Sequence, residues 1–329
     1  MKSKFSFFVK STITFTFLVI IAGGVVRMTG SGMGCPDWPK CFGYYIPPSQ
    51  PSEIEFQPNH NYKKGQMILV ENALYKANEN FTSTTELEMT NWTLFEEHDY
   101  AIYNPTHTYI EYINRLFGAL LGFSALLLVA SSFKHGKKNL LLSVFVLFMI
   151  GFEGWLGALV VESVLSPVKI TLHMLTAFFI LMTLMYLLYQ FSDKKIEAGK
   201  SIKWLSLVVI VLTLIQVLMG TQVREFIDEI ASTTSRDNWL ANPNTWFYIH
   251  RTFSLILLGI TIWMFLKLKK INEQKEISWI LAIMLFSTTT GIIMYYFGVP
   301  AIMQPVHLVL SAFLISLETN LFLKLDKKE

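Results

Sequence analysis

Three histidines, His173, His250 and His307, fall inside apolar stretches long enough to cross a lipid bilayer. Ionisable side chains are costly in such a setting and are kept where they do chemistry. Each lies some five to seven residues from the outer end of its stretch, so about 8–10 Å deep at 1.5 Å per residue. His250 and His307 stand at one level on two segments. Two imidazoles facing each other across a bundle are the geometry that holds a heme iron from both sides. A lone membrane histidine is more often a packing residue or a proton relay. Copper and zinc are the competing metals, but too few further ligands are at hand for a closed site. Asn114 occupies the depth that matches His250, so His173 faces an asparagine position rather than a second imidazole.

Charged groups accompany these positions. Arg115 and Arg251 directly follow Asn114 and His250, while Arg27 and Arg224 close two other spans near the outer surface. They read either as side chains snorkelling to the interface or as guanidinium forks for outward-pointing propionates. Glu111 lies one turn before Asn114 and shares its helix face. The second-half counterpart of Glu111 is Phe247, so an acid is present on one side only. That asymmetry suggests chemistry in the first half and a permanent cofactor in the second. Glu153 is a second intramembrane acid, without an assigned role. Cys35 and Cys41, the only cysteines, fall in the first outside loop, where an oxidising compartment allows a disulfide. Two free thiols or half of a metal site are the alternatives, and a zinc site there lacks further ligands.

The elements that position these groups follow from composition. Of 329 residues, 52% are hydrophobic and only 16% charged, well short of a soluble domain. The mean hydropathy is +0.43. The net charge of +3 is small and by itself says nothing about nucleic acid, and no nucleic-acid partner is expected. Eight stretches approach the ~20 apolar residues of a spanning helix: 11–27, 109–132, 139–162, 167–191, 203–223, 245–266, 277–297 and 300–323. The first also resembles a signal peptide, but no small-x-small cleavage site follows it, and a retained helix is expected. Lys2, Lys4, Lys10, Lys134, Lys137, Lys138, Lys194, Lys195, Lys200, Lys203, Lys267, Lys269, Lys270, Lys275, Lys324, Lys327 and Lys328 all fall on alternate connections. The positive-inside rule makes those connections and both termini cytoplasmic. The outside loop 28–108 holds His60, His98 and His107 and is long enough to pack over the outer mouth of the first half. His135 lies in a cytoplasmic loop.

The chain repeats itself. IEYINRLFGALLGFSALLLV at 110–129 reads against WFYIHRTFSLILLGITIWMF at 246–265, the segment from 167 against that from 300, and GGVVR at 23–27 against GTQVR at 220–224. The offset is 136 for Asn114 and His250, 134 for His173 and His307, and 197 for Arg27 and Arg224. The larger value reflects a first outside loop of about 80 residues against about 20 at 225–244. An even helix number per half keeps both repeats in one orientation, unlike an inverted repeat. The expected fold is an all-α integral membrane protein, eight transmembrane helices as two tandem, same-orientation four-helix bundles. Residues 1–192 form the first half with its long loop, and 193–329 the second.

In their order and duplication, GGVVRMTGSGMGCPDWPKC, EYINRLFG, TLHMLTAF, YIHRTFSLILLG and PVHLVLSAF resemble the heme A synthase family over essentially the whole membrane domain. The resemblance implies a heme b cofactor on His250 and His307, with heme O as substrate in the first half. There the C8 methyl would be hydroxylated twice and lose water to give the formyl group of heme A, for cytochrome oxidase. Glu111 matches the family's catalytic glutamate, and Cys35 and Cys41 match its outside-loop cysteine pair, for which a disulfide is expected. Asn114 stands where the family usually has histidine, leaving His173 as the substrate iron's ligand. Implied partners are heme O synthase (the protoheme farnesyltransferase), oxidase assembly factors, membrane lipid and a second copy of the chain as homo-oligomer. A bacterial plasma membrane is expected. Other readings are a b-type cytochrome exchanging electrons with quinone, or a heme transporter or assembly factor without catalysis.

Overall fold

Within lipid a chain satisfies its backbone polar groups only in helices or a closed barrel. The apolar stretches here are too long for strands and are helical throughout. The computed structural model describes residues 2–95, 103–163, 165–191, 195–231 and 233–326. His98, Lys194, Lys327, Lys328 and the expected boundary between the halves at 192 and 193 lie outside the described residues. The eight helices are α1 (Lys2–Met28), α2 (Pro105–Ser132), α3 (Lys137–Glu162), α4 (Pro167–Tyr189), α5 (Lys200–Ala231), α6 (Thr245–Lys269), α7 (Lys275–Tyr296) and α8 (Met303–Lys324). All eight are long and apolar enough to span a membrane. Asparagine side chains cap the two helices that carry Asn114 and His250: Asn104 accepts from His107 N–H, and Asn244 from Phe247 N–H, each at 3.2 Å.

Helices α1 to α4 touch in a closed ring, α1 on α2, α2 on α3, α3 on α4 and α4 on α1. Helices α5 to α8 do the same. Each ring has its own apolar core. Leu121, Leu128, Val146, Ile180 and Leu184 fill the first, and Val209, Leu257, Met264, Ile280 and Leu314 the second. A third cluster joins the rings through Ile20, Phe178, Leu181, Ala312 and Ile315. The outward faces carry large apolar residues such as Phe123, Phe148, Trp155 and Trp263, as lipid-facing surfaces do. At the lysine-rich end, Phe5 of α1 stacks on His135, and the short strands β6 (Ile196–Glu197) and β7 (Leu325–Asp326) pair in parallel.

Two expected boundaries are corrected. The first span begins at Lys2 rather than at 11, so Lys2, Lys4 and Lys10 lie within α1, because lysine is a good helix former and a helix can run on past the lipid. The fifth span does not stop at 223, because α5 continues two turns further to Ala231 and shortens the second outside connection accordingly. The added turns are polar, and hydropathy could not reveal them. They are held by Asp228, which pairs with Arg224 one turn back at 2.7 Å and with Arg27 of α1.

The long outside segment folds into a small β unit. Strands β2 (Met67–Val70), β3 (Ala73–Ala77) and β5 (Trp92–Leu94) form an antiparallel sheet, and β1 (Asn61–Tyr62) pairs with β4 (Phe81–Thr82). The β2–β3 hairpin turns on Glu71 and Asn72, both at positive φ as a two-residue turn of this hand requires. The unit is anchored where the chain leaves α1. Cys35 and Cys41 form a disulfide buried with Phe42, Ile54 and Met67. Thr108 Oγ1 of α2 donates to Gly34 O at 2.8 Å.

The two rings come close where Gly24 of α1 meets α8. A Cβ there would lie 2.8 Å from Pro305 Cβ, with no flexible side chain to yield. Gly24→Val is expected to lower stability by about 1–3 kcal/mol through overpacking, read as a drop in Tm in detergent. Gly118→Ala, with nothing within 4 Å, should leave Tm unchanged or slightly raised.

Candidate functional site

His250 on α6 and His307 on α8 face each other, their ring centroids 6.4 Å apart and their planes at 67°. Nδ1 of His250 lies 3.1 Å from the Gln216 carbonyl of α5, and Gln216 Nε2 donates back to His250 O at 3.0 Å. Nδ1 of His307 lies 3.1 Å from the Ser287 carbonyl of α7 and 2.8 Å from Thr290 Oγ1. A carbonyl can only accept, so both rings carry their proton on Nδ1 and leave Nε2 with a bare lone pair. A ligating histidine needs this arrangement, its far nitrogen held by an outer acceptor. Two collinear metal–imidazole bonds of about 2 Å each, plus the two ring radii, span roughly 6 Å. The observed separation fits one metal centre between the rings. Among the described residues no three or more His, Cys, Asp or Glu side chains converge, so a closed zinc or copper site lacks its donors.

In the first half, His173 of α4 sets Nδ1 3.2 Å from Glu153 Oε1 of α3, close but off the line of a good hydrogen bond. The acid left without a role by sequence is therefore the outer partner of His173. It occupies the repeat position of Ser287, whose carbonyl serves His307. Asn114 Oδ1 is buried without a partner. The residue in Gln216's repeat position is Val19, which has no side-chain hydrogen bond to offer.

Glycines on the preceding helix lie against these side chains, tightly only at Gly220. A Cβ at Gly220 would lie 3.1 Å from His250 Cε1, at Gly291 3.9 Å from His307 Cε1, and at Gly157 3.6 Å from His173 Cε1. A Cβ at Gly23 would lie 3.9 Å from Asn114 Oδ1. The pairs recur at the repeat offsets, 134 for Gly157 and Gly291 and 197 for Gly23 and Gly220. The likeness of GGVVR to GTQVR carries that signal in the sequence, and the Gly157–Gly291 pair lies outside the segments whose likeness is plain.

Glu111 is placed differently from His173. It is 4% exposed and binds the disulfide turn: Oε2 accepts from Cys35 N–H at 2.9 Å, and Oε1 from Arg115 Nη2 at 2.6 Å. Arg115 Nη1 also donates to Asp37 O at 2.9 Å and Lys40 O at 2.7 Å, which commits much of its fork to the outside segment. Burial pushes the Asp37 carboxyl above its ordinary range, opposed by the Gly43 N–H and by Arg115. Arg27 and Arg224, one from each half, converge on Asp228, and Arg224 Nη1 donates to Gln304 Oε1 at 2.6 Å. Arg224 Nε remains buried without an acceptor. Arg251 is exposed and lies over Phe247 and Tyr248 of its own helix.

Glu111→Ala leaves Cys35 N–H and the Arg115 guanidinium buried without their carboxylate. The expected cost is about 1.5–3 kcal/mol, read as a lower Tm in detergent. Glu111→Gln, which keeps an acceptor for Cys35 N–H, should recover part of it.

Comparison with known proteins bears on the same residues. The family model of the cytochrome oxidase assembly protein COX15-CtaA matches residues 6–318. Heme A synthase of Shewanella oneidensis is 25% identical over 70% of this chain, which covers 61% of that protein, less than two thirds of its length. Heme A synthase of Flavobacterium johnsoniae is 21% identical over 94% of both chains. That of Ehrlichia canis is 23% identical over 92% of this chain and 88% of its own. A match from the first span to the last places the chain in the COX15-CtaA family of cytochrome oxidase assembly proteins.

Proposed function

We propose that this protein is a heme A synthase of the bacterial plasma membrane, with both termini in the cytoplasm. On this reading it oxidises the C8 methyl of heme O to the formyl group of heme A, through two hydroxylations and loss of water. The observation that carries the reading is the facing pair His250 and His307, each with Nδ1 held by a neighbouring helix and Nε2 free, in one half only. The two halves, 1–192 and 193–329, then do different work.

In the second half His250 and His307 would hold a heme b, and the Gln216 and Ser287 carbonyls orient the two rings. When bound, the heme supplies one-electron transfer. A permanent cofactor suits two pre-set ligands, because neither ring has to turn to bind. In the first half His173 would hold the substrate iron on one side, oriented by Glu153, while Asn114 stands opposite and offers an amide. One strong ligand instead of two suits a heme that must leave as product.

Glu111 would act at the outer mouth of this first site. Its carboxylate is placed by Cys35 N–H and Arg115, and a remaining lone pair can take a proton from water or stabilise positive charge developing beside it. Arg27, Arg115, Arg224 and Arg251 would meet propionates at the outer rim, and Arg224 Nε is the donor still without an acceptor. Heme O synthase and oxidase assembly factors would be the partners that deliver heme O and receive heme A, and a homo-oligomer would place several such sites together. A b-type cytochrome that serves quinone, or a heme carrier, explains the histidine pair but gives Glu111 and Glu153 nothing to do.

Co-expression with a heme O synthase should yield heme A or its hydroxylated precursor in extracted hemes by mass spectrometry. Unchanged heme O as the sole product would sink the proposal. Glu111→Gln should fold and abolish the product, and His173→Ala should do so while the cofactor spectrum stays intact. His250→Ala and His307→Ala should each remove the low-spin heme b signal. Retention of that signal in either variant rules the pair out as its ligands.

A further inference from the structure

A carboxylate that none of the chemistry above uses sits in the centre of the second ring. Glu318 of α8 is 1% exposed. It lies between Leu314 and Leu321 on the α8 face that packs with Val209 of α5 and Met284 of α7. One oxygen accepts from Thr213 Oγ1 of α5 at 2.9 Å, and the other, Oε2, is buried with no partner. Six residues separate it from Lys324, about 9 Å of helix from the charged end. Eleven residues, roughly 16 Å, separate it from His307.

A polar line joins this acid to the ligand pair. Thr213 stands one turn of α5 before Gln216, whose carbonyl holds His250 Nδ1. Gln216 Oε1 is a second buried acceptor without a donor. Glu318 Oε2 and Gln216 Oε1 each lack a donor, and a proton on Glu318 turns its own orphaned acceptor into a donor. The first half keeps the threonine, as Thr16, but has Leu184 at the matching α8 position, and Thr16 Oγ1 donates to its own helix at Thr12 O, 2.8 Å away. The acid therefore belongs only to the half with two facing imidazoles.

No described counter-charge neutralises it. Of the helices packed on α8, α1 carries no charge between the exposed Lys10 and Arg27, and α5 none between Lys203 and Arg224. Lys203 donates to Leu325 O at 2.6 Å. Glu276 of α7 pairs with Lys324 at 3.4 Å, and the inner titratable groups of α4 are Tyr186, bonded to Lys138, and Tyr189. An uncompensated charge in a core of low dielectric responds strongly to any second charge placed there.

We propose that Glu318 is a proton-binding site coupled to the second-half heme, which takes up a proton when that heme gains an electron and releases it when the electron leaves. This rests on the assignment of heme to His250 and His307. In the reducing step a one-electron donor converts ferric to ferrous heme, and a proton from the aqueous side at Lys324 converts carboxylate to carboxylic acid. The net charge of the core is then unchanged. With a separation of order 16 Å and an effective dielectric constant near 20, reduction should raise the proton affinity of Glu318 about fivefold.

The test is a spectroelectrochemical titration of the full-length, heme-loaded protein at several pH values. The wild-type midpoint should fall by the equivalent of about a fivefold change in equilibrium constant as pH rises through the titration of Glu318, and Glu318→Gln should be flat. Redox-difference infrared spectra of the wild type should show a protonated-carboxyl band that grows on reduction and is missing in Glu318→Gln. A pH-independent wild-type midpoint, or the same slope and band in the variant, overturns the proposal. Should Glu318→Gln fail to fold, Glu318→Leu, the first-half residue, replaces it, and absence of the band in the wild type alone is decisive. A chain that shows no low-spin heme before titration would sink the underlying assignment, and this proposal with it.

Discussion

The Nδ1–H of an imidazole inside a membrane must be given to an acceptor within the protein, because lipid offers none. In the second half that acceptor is a main-chain carbonyl of the helix before it, Gln216 O for His250 and Ser287 O for His307. Much else follows from this pairing. The preceding helix comes close, most tightly at Gly220, where a Cβ would lie 3.1 Å from His250 Cε1. The ring cannot flip without breaking the bond, so Nε2 always points the same way. An anchored tautomer on each side of one gap is what separates a ligand pair from two buried polar residues.

The first half departs from this arrangement at the matching positions. Where Ser287 presents a carbonyl, Glu153 presents a carboxylate to His173. Where Gln216 braces His250, Val19 stands beside Asn114, and the histidine itself is absent. The acid Glu111 replaces Phe247 at the outer end, and Leu184 replaces the buried Glu318 near the inner end. Each difference removes a fixed ligand from the first half or moves a carboxylate to a different depth. A carboxylate beside a ligating imidazole also raises its basicity more than a carbonyl does. On the proposed assignment the first half keeps one ligand, beside an acid, and gives up the second, which suits a bound heme that is exchanged.

Much of this was legible in the sequence because lipid enforces simple rules. Apolar length located eight helices, and the offsets at Asn114–His250 and His173–His307 aligned the two halves. The disulfide was accessible because only Cys35 and Cys41 exist. What stayed hidden depends on packing across elements distant in sequence. Hydropathy ended the fifth span at residue 223, since Asp228 is polar and its reason for being helical is Arg27, 201 residues away. Glu318 stands six residues from a lysine and reads like an interfacial charge until α5 and α7 are seen to bury it. Glu111 shares a helix face with Asn114, as expected, yet its oxygens are used first by Cys35 N–H and Arg115. Spacing along one helix could not tell of a partner that arrives from the loop.

The outer rim shows how a duplication handles a charge it has copied. Arg27 and Arg224 are repeat equivalents, and where the two halves meet they come together as like charges. Left alone they would repel across a partly apolar seam, where screening is weak. Asp228 lies between them and pairs with both. Its first-half equivalent by offset is the buried Ser31, so the acid is not itself part of the repeated pattern. This is why α5 outlasts its apolar run: the extra turns carry the counter-ion that lets two copies of one arginine share a boundary. Among the described residues two guanidiniums meet this one carboxylate, and the buried Nε–H of Arg224 has no acceptor. A cationic pair with an unused donor at the seam favours an anionic group there. On the proposed assignment this orients a heme with its carboxylate edge outward and its iron at the depth of the histidines.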